Sequence, residues 1–148
     1  MIRVYPDTNV LVRGILKRNS NSRLVLDLVY DGKIHAVISD YSLKELKRVL
    51  RRILHKIDSD KRYYLFSKSV TLNPFFEVVS YKQYQIKEEK YMDLIVEKDL
   101  PHLVIAIEEK VYSIIGKDRH FNTQKLIPIK TPKEFLKELG IDVFRKST

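Results

Sequence analysis

The sequence of 148 residues contains no cysteine, no tryptophan, two methionines and four glycines. The lack of cysteine excludes disulfides, thiolate metal ligands and a cysteine nucleophile. The glycines are scattered, which excludes a P-loop and the glycine-rich dinucleotide fingerprint. Apolar runs such as "LVIAI" fall far short of the ~20 residues that cross a bilayer. The N-terminus "MIRVYPD" also lacks the apolar segment of a signal peptide, so we expect no membrane span and a cytoplasmic location.

Acidic residues are fewer than basic residues. The chain has 28 lysines and arginines against 19 aspartates and glutamates, a formal net charge of +9. A positive field of this size favours polyanionic partners, nucleic acid above all. Ordinary solubility charge is the alternative explanation, and composition alone does not separate the two.

Short apolar runs alternate with segments of helical periodicity along the chain, which predicts an α/β fold around a mainly parallel sheet in a single domain over residues 1–148. Ser22, the motif Ser42-x-x-Glu45 and the capping box Thr131 to Glu134 mark predicted helix starts. Residues 80–98 show no assignable pattern. The predicted strands are 2–6, 35–39, 75–79, 111–115 and 125–129, and the predicted helices are 9–16, 22–30, 42–57, 58–72, 99–110 and 132–139.

Carboxylates follow the predicted strands. Asp7 comes directly after the first strand, Glu45 lies in the first turns of the helix after the second, and Asp118 follows strand 111–115. Asp99 opens the helix that leads into that strand, so its position fits either edge of the sheet. Ligands bind at the carboxyl edge of open parallel sheets. We therefore expect the first three acids, with Asp99 as a candidate fourth, to converge on one edge.

Each of these acids also has a purely structural explanation. Asp7 and Asp99 would serve as helix caps, Asp118 as a turn residue, and Glu45 as half of a capping box. Together they are harder to explain, because two carboxylates ~4 Å apart repel by roughly 4 kcal/mol at an effective dielectric of 20. A bound cation offsets that cost, and all-oxygen ligation selects Mg²⁺ or Mn²⁺ rather than zinc.

Four segments give the chain a resemblance to the PIN-domain family: "PDTNVLV", "SLKELKRVL", "KDLPHLVIAI" and "GKDRHF". They occur in the order and rough spacing of that family, and the resemblance runs from Ile2 to about Lys130. It implies a three-layer α/β/α fold and a divalent-metal-dependent ribonuclease that hydrolyses RNA phosphodiester bonds. The metal-binding and catalytic quartet carried over is Asp7, Glu45, Asp99 and Asp118, with Thr8 and Asn9 as supporting residues.

The resemblance also implies partners. RNA is the expected substrate, cut to leave a 5′-phosphate and a 3′-hydroxyl. The protein would be either the toxin of a VapBC-type toxin–antitoxin pair, with a cognate antitoxin, or a stand-alone processing nuclease, and a homodimer is expected. Arg48, Arg52 and Arg119 are predicted to contact RNA, although a solvated helix face explains the first two equally well.

Two departures from the family pattern leave alternatives open. Many members carry Thr or Ser two residues before the fourth acid, where this chain has Gly116. Asp93 and Glu97 lie close to Asp99 and compete with it as the third acid. An incomplete metal site would make the protein a catalytically weak or inactive nucleic-acid-binding module.

Overall fold

A five-stranded parallel sheet forms the centre of the computed structural model, which describes residues 1–116 and 124–145. The strand order is β3-β2-β1-β4-β5, and every neighbouring pair is parallel. This arrangement confirms the predicted fold class. The strands are β1 (Arg3–Pro6), β2 (His35–Ser39), β3 (Phe76–Val79), β4 (Ser113–Ile115) and β5 (Ile129–Lys130).

Helices connect the strands. The α-helices of the described residues are α1 (Thr8–Leu16), α2 (Asn21–Tyr30), α3 (Asp40–Ile53), α4 (Lys56–Leu72), α5 (Leu100–Glu108) and α6 (Pro132–Glu138). The segment without an assignable sequence pattern forms 3₁₀ turns at Tyr81–Gln83, Gln85–Leu94 and Glu97–Asp99. Within the described ranges, no helix combines the length and apolarity needed to traverse a membrane.

Alternating side chains along the strands place a hydrophobic core on each face of the sheet. Val4 of β1 packs into a core shared with α1, α2, α3, α4 and α6. The next residue, Tyr5, belongs to the opposite core, which contains α5 and Tyr91 of the 3₁₀ segment. Because successive strand residues point to opposite faces, the sheet is covered on both sides. The three-layer α/β/α prediction is therefore confirmed.

Two predicted helix caps are wrong. α3 is capped by Ser39, whose hydroxyl accepts a hydrogen bond from the Ser42 amide at 3.0 Å. α2 is likewise capped by Ser20 rather than Ser22. In both places two serines fit the cap pattern and the earlier one has the extended backbone that a cap needs. Glu45 consequently lies in the second turn of α3, outside any capping box.

The C-terminal part of the fold agrees with the sequence except at one strand. Thr131 and Glu134 form the predicted capping box of α6, and Gly140 follows this helix with a positive φ of 73°. The last strand is Ile129–Lys130, later and shorter than predicted. The Gln124 side chain bonds the backbone of Leu126 and Ile127, which holds those residues in a turn instead of the sheet.

Candidate active site

A polar pocket of about 270 Å³ lies beside the carboxyl ends of β1 and β2. Its walls come from the start of α1, the polar side of α3 and the start of α5. The lining contains three predicted acids, the two predicted supporting residues, three cationic residues and one histidine: Asp7, Glu45, Asp99, Thr8, Asn9, Arg48, Arg52, Lys98 and His102, with Val49 as the apolar member. The fourth predicted acid, Asp118, and Arg119 lie outside the described residues.

Asp7 is held at the base of this pocket, with 4% of its surface exposed. Its Oδ1 accepts a hydrogen bond from the Val10 amide at 3.0 Å and so caps α1. Its own amide donates to the Ile115 carbonyl at 2.9 Å, which ties it to β4. The structural and the functional explanation of Asp7 are therefore compatible, because one carboxylate oxygen is sufficient for the cap.

Gly116 makes room for the second carboxylate oxygen of Asp7. A Cβ atom at this position would lie 2.2 Å from Asp7 Oδ2, far inside van der Waals contact. The glycine follows β4 directly and its amide donates to the Lys130 carbonyl at 2.9 Å. The residue that departs from the family pattern thus has a physical role in the placement of the first acid.

Glu45 is oriented by two short hydrogen bonds to the same oxygen. Thr8 Oγ1 donates to Glu45 Oε1 at 2.6 Å, and His102 Nε2 lies 2.6 Å from the same atom. Arg48 Nη2 is 3.9 Å from Oε2. Burial raises the pKa of the Glu45 carboxyl, but the hydrogen bonds from His102 and Thr8 outweigh it and leave the pKa below its ordinary value. Glu45 is therefore ionised at neutral pH.

A buried chain of polar side chains continues from His102 away from the pocket. His102 Nδ1 lies 2.7 Å from the Tyr5 hydroxyl, which in turn lies 3.0 Å from the Ser39 hydroxyl and 2.9 Å from that of Ser42. Burial raises the pKa of Tyr5, so its hydroxyl keeps its hydrogen. Neither His102 nor Tyr5 was among the predicted site residues.

Asp99 lines the pocket, whereas its competitors Asp93 and Glu97 do not border it. It is 8% exposed, ends the 3₁₀ turn Glu97–Asp99 and stands at the N-cap position of α5. Its side chain makes no capping hydrogen bond to α5. The cap function therefore does not explain this buried carboxylate.

The basic residues of α3 form a continuous surface beside the pocket, which we term the α3 basic ridge: Lys44, Lys47, Arg48, Arg51 and Arg52. Arg48 and Arg52 belong both to the ridge and to the pocket lining. Arg51 is turned toward α4, where its guanidinium lies 3.2 Å from Asp60. Two of the three predicted RNA-contacting arginines, Arg48 and Arg52, thus border the acidic pocket.

Comparison with known proteins decides the family. The model of the PIN domain matches residues 3–120, most of the chain. This chain belongs to the PIN-domain family. No curated protein matches the sequence.

Solved structures agree on the PIN-domain fold. VapBC2 from Rickettsia felis, bound to a DNA fragment from its promoter, matches with a TM-score of 0.62, 17% identity, and coverage of 88% of this chain and 98% of that chain. FitAcB from Neisseria gonorrhoeae matches with a TM-score of 0.57 at the same identity and coverage. At this identity the likeness shows the fold alone.

The donor chemistry of this PIN-domain pocket suits a hard divalent cation. The acids that line it offer only oxygen, which Mg²⁺ and Mn²⁺ prefer. Residues 1–116 and 124–145 contain no group of three His, Asp or Glu side chains close enough to form a metal site by themselves. In those ranges the acids share a pocket without forming a compact cluster, and the residues that could hold a metal there are Asp7, Glu45 and Asp99.

Proposed function

We propose that the protein is a divalent-metal-dependent endoribonuclease that hydrolyses RNA phosphodiester bonds. The observation that carries this proposal is the meeting of Asp7, Glu45 and Asp99 in one pocket at the carboxyl edge of the sheet. Membership of the PIN-domain family supports the same chemistry. The adjoining α3 basic ridge supplies the charge that a polyanionic substrate requires.

Asp7, Glu45 and Asp99, with Asp118 from outside the described residues, would hold Mg²⁺ or Mn²⁺. Such an ion supplies polarisation of the phosphoryl oxygen and a more acidic water. Asp7 keeps a fixed position because its other oxygen is bound to the Val10 amide. Glu45 is ionised and accepts a hydrogen bond from Thr8. It is therefore suited to orient the attacking water or to accept its proton.

Arg48 and Arg52 are proposed to bind phosphates of the RNA. Both border the pocket and the α3 basic ridge. An arginine presents several N–H donors in a fork that matches phosphate oxygens. Phosphate contacts of this type place the backbone without reading its sequence, so they would serve single-stranded and structured RNA alike.

We further propose that a cognate antitoxin controls the enzyme and that it acts in the cytoplasm as a homodimer. The support for a toxin rather than a stand-alone nuclease is the structural likeness to VapBC2 of Rickettsia felis, which was crystallised with promoter DNA. The alternative of an inactive binding module depended on Gly116 and on the uncertain choice of Asp99. The fit of Gly116 against Asp7 and the place of Asp99 in the pocket lining both weaken that alternative.

Cleavage of a labelled single-stranded RNA tests the proposal. The wild type should cut the RNA with Mg²⁺ or Mn²⁺ and stop when EDTA is added. Asp7→Asn keeps an oxygen to cap α1, so the fold should survive while the rate falls roughly 100-fold or more. Asp27→Asn, which alters an acid on α2 paired with Arg23, is the matched control and should cut like the wild type. Equal background rates in the wild type and Asp7→Asn would refute the enzyme proposal.

A further inference from the structure

We propose that His102 is a positioning residue that fixes Glu45 for its role in the metal pocket, and that Tyr5 fixes His102 in turn. The inference rests on the proposed function and adds two residues to which neither the resemblance nor the comparisons gave a role. It is carried by a buried chain of hydrogen bonds that runs from the α3 cap, through Tyr5 and His102, to Glu45.

The direction of these hydrogen bonds follows from the chemistry of their ends. An ionised carboxylate only accepts, so His102 Nε2 must carry the hydrogen that points to Glu45 Oε1. When the ring carries that single hydrogen, Nδ1 is an acceptor and the Tyr5 hydroxyl can donate to it across 2.7 Å. The tyrosine oxygen can accept from Ser39 and Ser42. One consistent set of donors therefore leads to Glu45.

The residues of this hydrogen-bonded chain lie in buried parts of the fold. Tyr5 is fully buried in β1, and His102 of α5 is 3% exposed. The rings of Tyr5 and His102 lie 5.6 Å apart, and Tyr41 packs edge-on against His102 at 5.1 Å. Packing on this scale limits the imidazole to one orientation, so its Nε2 is held where Glu45 needs it.

Glu45 has a long side chain that would otherwise sample several rotamers. Donors from two different elements, Thr8 of α1 and His102 of α5, converge on Oε1, whereas Oε2 makes the longer 3.9 Å contact with Arg48 Nη2. Partners of this kind orient metal-binding side chains, and their loss typically costs about 10–100-fold in metal affinity or activity. In this arrangement His102 orients Glu45 and need not contact the metal itself.

Titration of the metal-free protein with Mn²⁺ in a calorimeter tests the inference. His102→Leu removes the donor while it keeps an apolar side chain, and should weaken Mn²⁺ binding by about 10–100-fold. His102→Gln keeps an N–H near the Nε2 position and should recover most of that loss. Tyr5→Phe leaves His102 in place without its partner and should weaken binding several-fold, by less than His102→Leu.

Recovery by glutamine separates positioning from a simple packing role, because leucine and glutamine fill the core comparably but only glutamine donates. Wild-type affinity in His102→Leu would overturn the inference, as would equal losses in the leucine and glutamine variants. If His102→Leu does not fold, unchanged affinity in Tyr5→Phe overturns it instead. A wild type that binds no Mn²⁺ would refute the proposed metal site itself, so the two failures are distinguishable.

Discussion

The two ends of the sheet treat carboxylates in opposite ways. At the amino end, Arg3 of β1 donates from Nε and Nη2 to the two oxygens of Glu77, both at 3.0 Å, and from Nη2 to Glu109 at 2.8 Å. At the carboxyl end, the two close donors to Glu45 are a hydroxyl and an imidazole, and the guanidinium of Arg48 is 3.9 Å away. The first arrangement neutralises acids with a fixed cation of the chain, whereas the second presents an oriented acid to a pocket.

The two ends of the sheet show that residue type alone does not identify a site. Glu77 and Glu45 both have a pKa below the ordinary value, Glu77 chiefly through its hydrogen bond from Arg3. The amino-end cluster is about one-third exposed, so its contribution to folding is small, on the order of 1 kcal/mol or less. Position relative to strand direction, more than charge, distinguishes the structural acids from the proposed site acids.

The largest expected effect comes from Glu45→Gln at the carboxyl end of the sheet, and Glu77→Gln at the amino end is its control. Glu45→Gln can keep its hydrogen bonds to Thr8 and His102 but loses the charge, so RNA cleavage should fall by about 100-fold or more, measured as kcat on a labelled RNA. Glu77→Gln should leave kcat within twofold of the wild type. Similar losses in both variants would remove the distinction between the two ends.

The stability of Glu77→Gln provides a second test, at the amino end of the sheet. A depressed carboxyl pKa in the folded state stabilises the protein above the unfolded value, near 4.5, and this stabilisation disappears as pH falls through the folded pKa. Glu77→Gln should therefore lower the free energy of unfolding at pH 7 by up to about 1 kcal/mol. The difference from the wild type should shrink below pH 4.5 in urea unfolding series.

An intermediate effect is expected at Gly116. Gly116→Ala would place a methyl group against Asp7 Oδ2, so the carboxylate must move and cleavage should fall by roughly 10-fold or more. Gly140→Ala is the matched control, because its positive φ of 73° strains an alanine although, among the described residues beyond its chain neighbours, no atom lies within 4 Å of the new methyl. That variant should lose stability but keep its cleavage rate. Full activity in Gly116→Ala would show that the position of Asp7 in the pocket is not critical.

The smallest expected effect concerns substrate affinity. Arg48→Gln with Arg52→Gln should raise KM for RNA several-fold, leave kcat almost unchanged, and flatten the dependence of binding on salt. Lys33→Gln with Lys110→Gln removes the same charge near the amino ends of β2 and β4 and serves as the control. Equal changes in KM for both double variants would mean that net charge, rather than the α3 basic ridge, attracts RNA.

The sequence was sufficient for the parts of the fold that depend on local patterns. Apolar runs located β1 to β4, and the position of Asp7 and Glu45 after strands placed both beside one pocket. The caps of α2 and α3 were wrong because neighbouring serines satisfy the same local rule, and only backbone conformation separates them. The last strand was displaced by side-chain bonds from Gln124.

The site residues that the sequence missed depend on long-range contacts. Tyr5 and His102 are 97 positions apart, and His102 and Glu45 are 57 apart, so no local pattern joins them. The one available signal was a single histidine in the otherwise apolar stretch "LPHLVIAI". The single-domain assignment, the metal quartet and the homodimer stay predictions.

We propose above that Asp7, Glu45 and Asp99 hold a divalent ion in the pocket. The most direct test is a crystal of the wild-type protein soaked in Mn²⁺, with anomalous scattering recorded at the manganese edge. We expect one strong peak in the pocket. The manganese ion should lie within coordination distance of an Asp7 oxygen and be bound by Glu45 directly or through water. A pocket without manganese at saturating concentration, or an ion bound only at the amino end of the sheet, would contradict it.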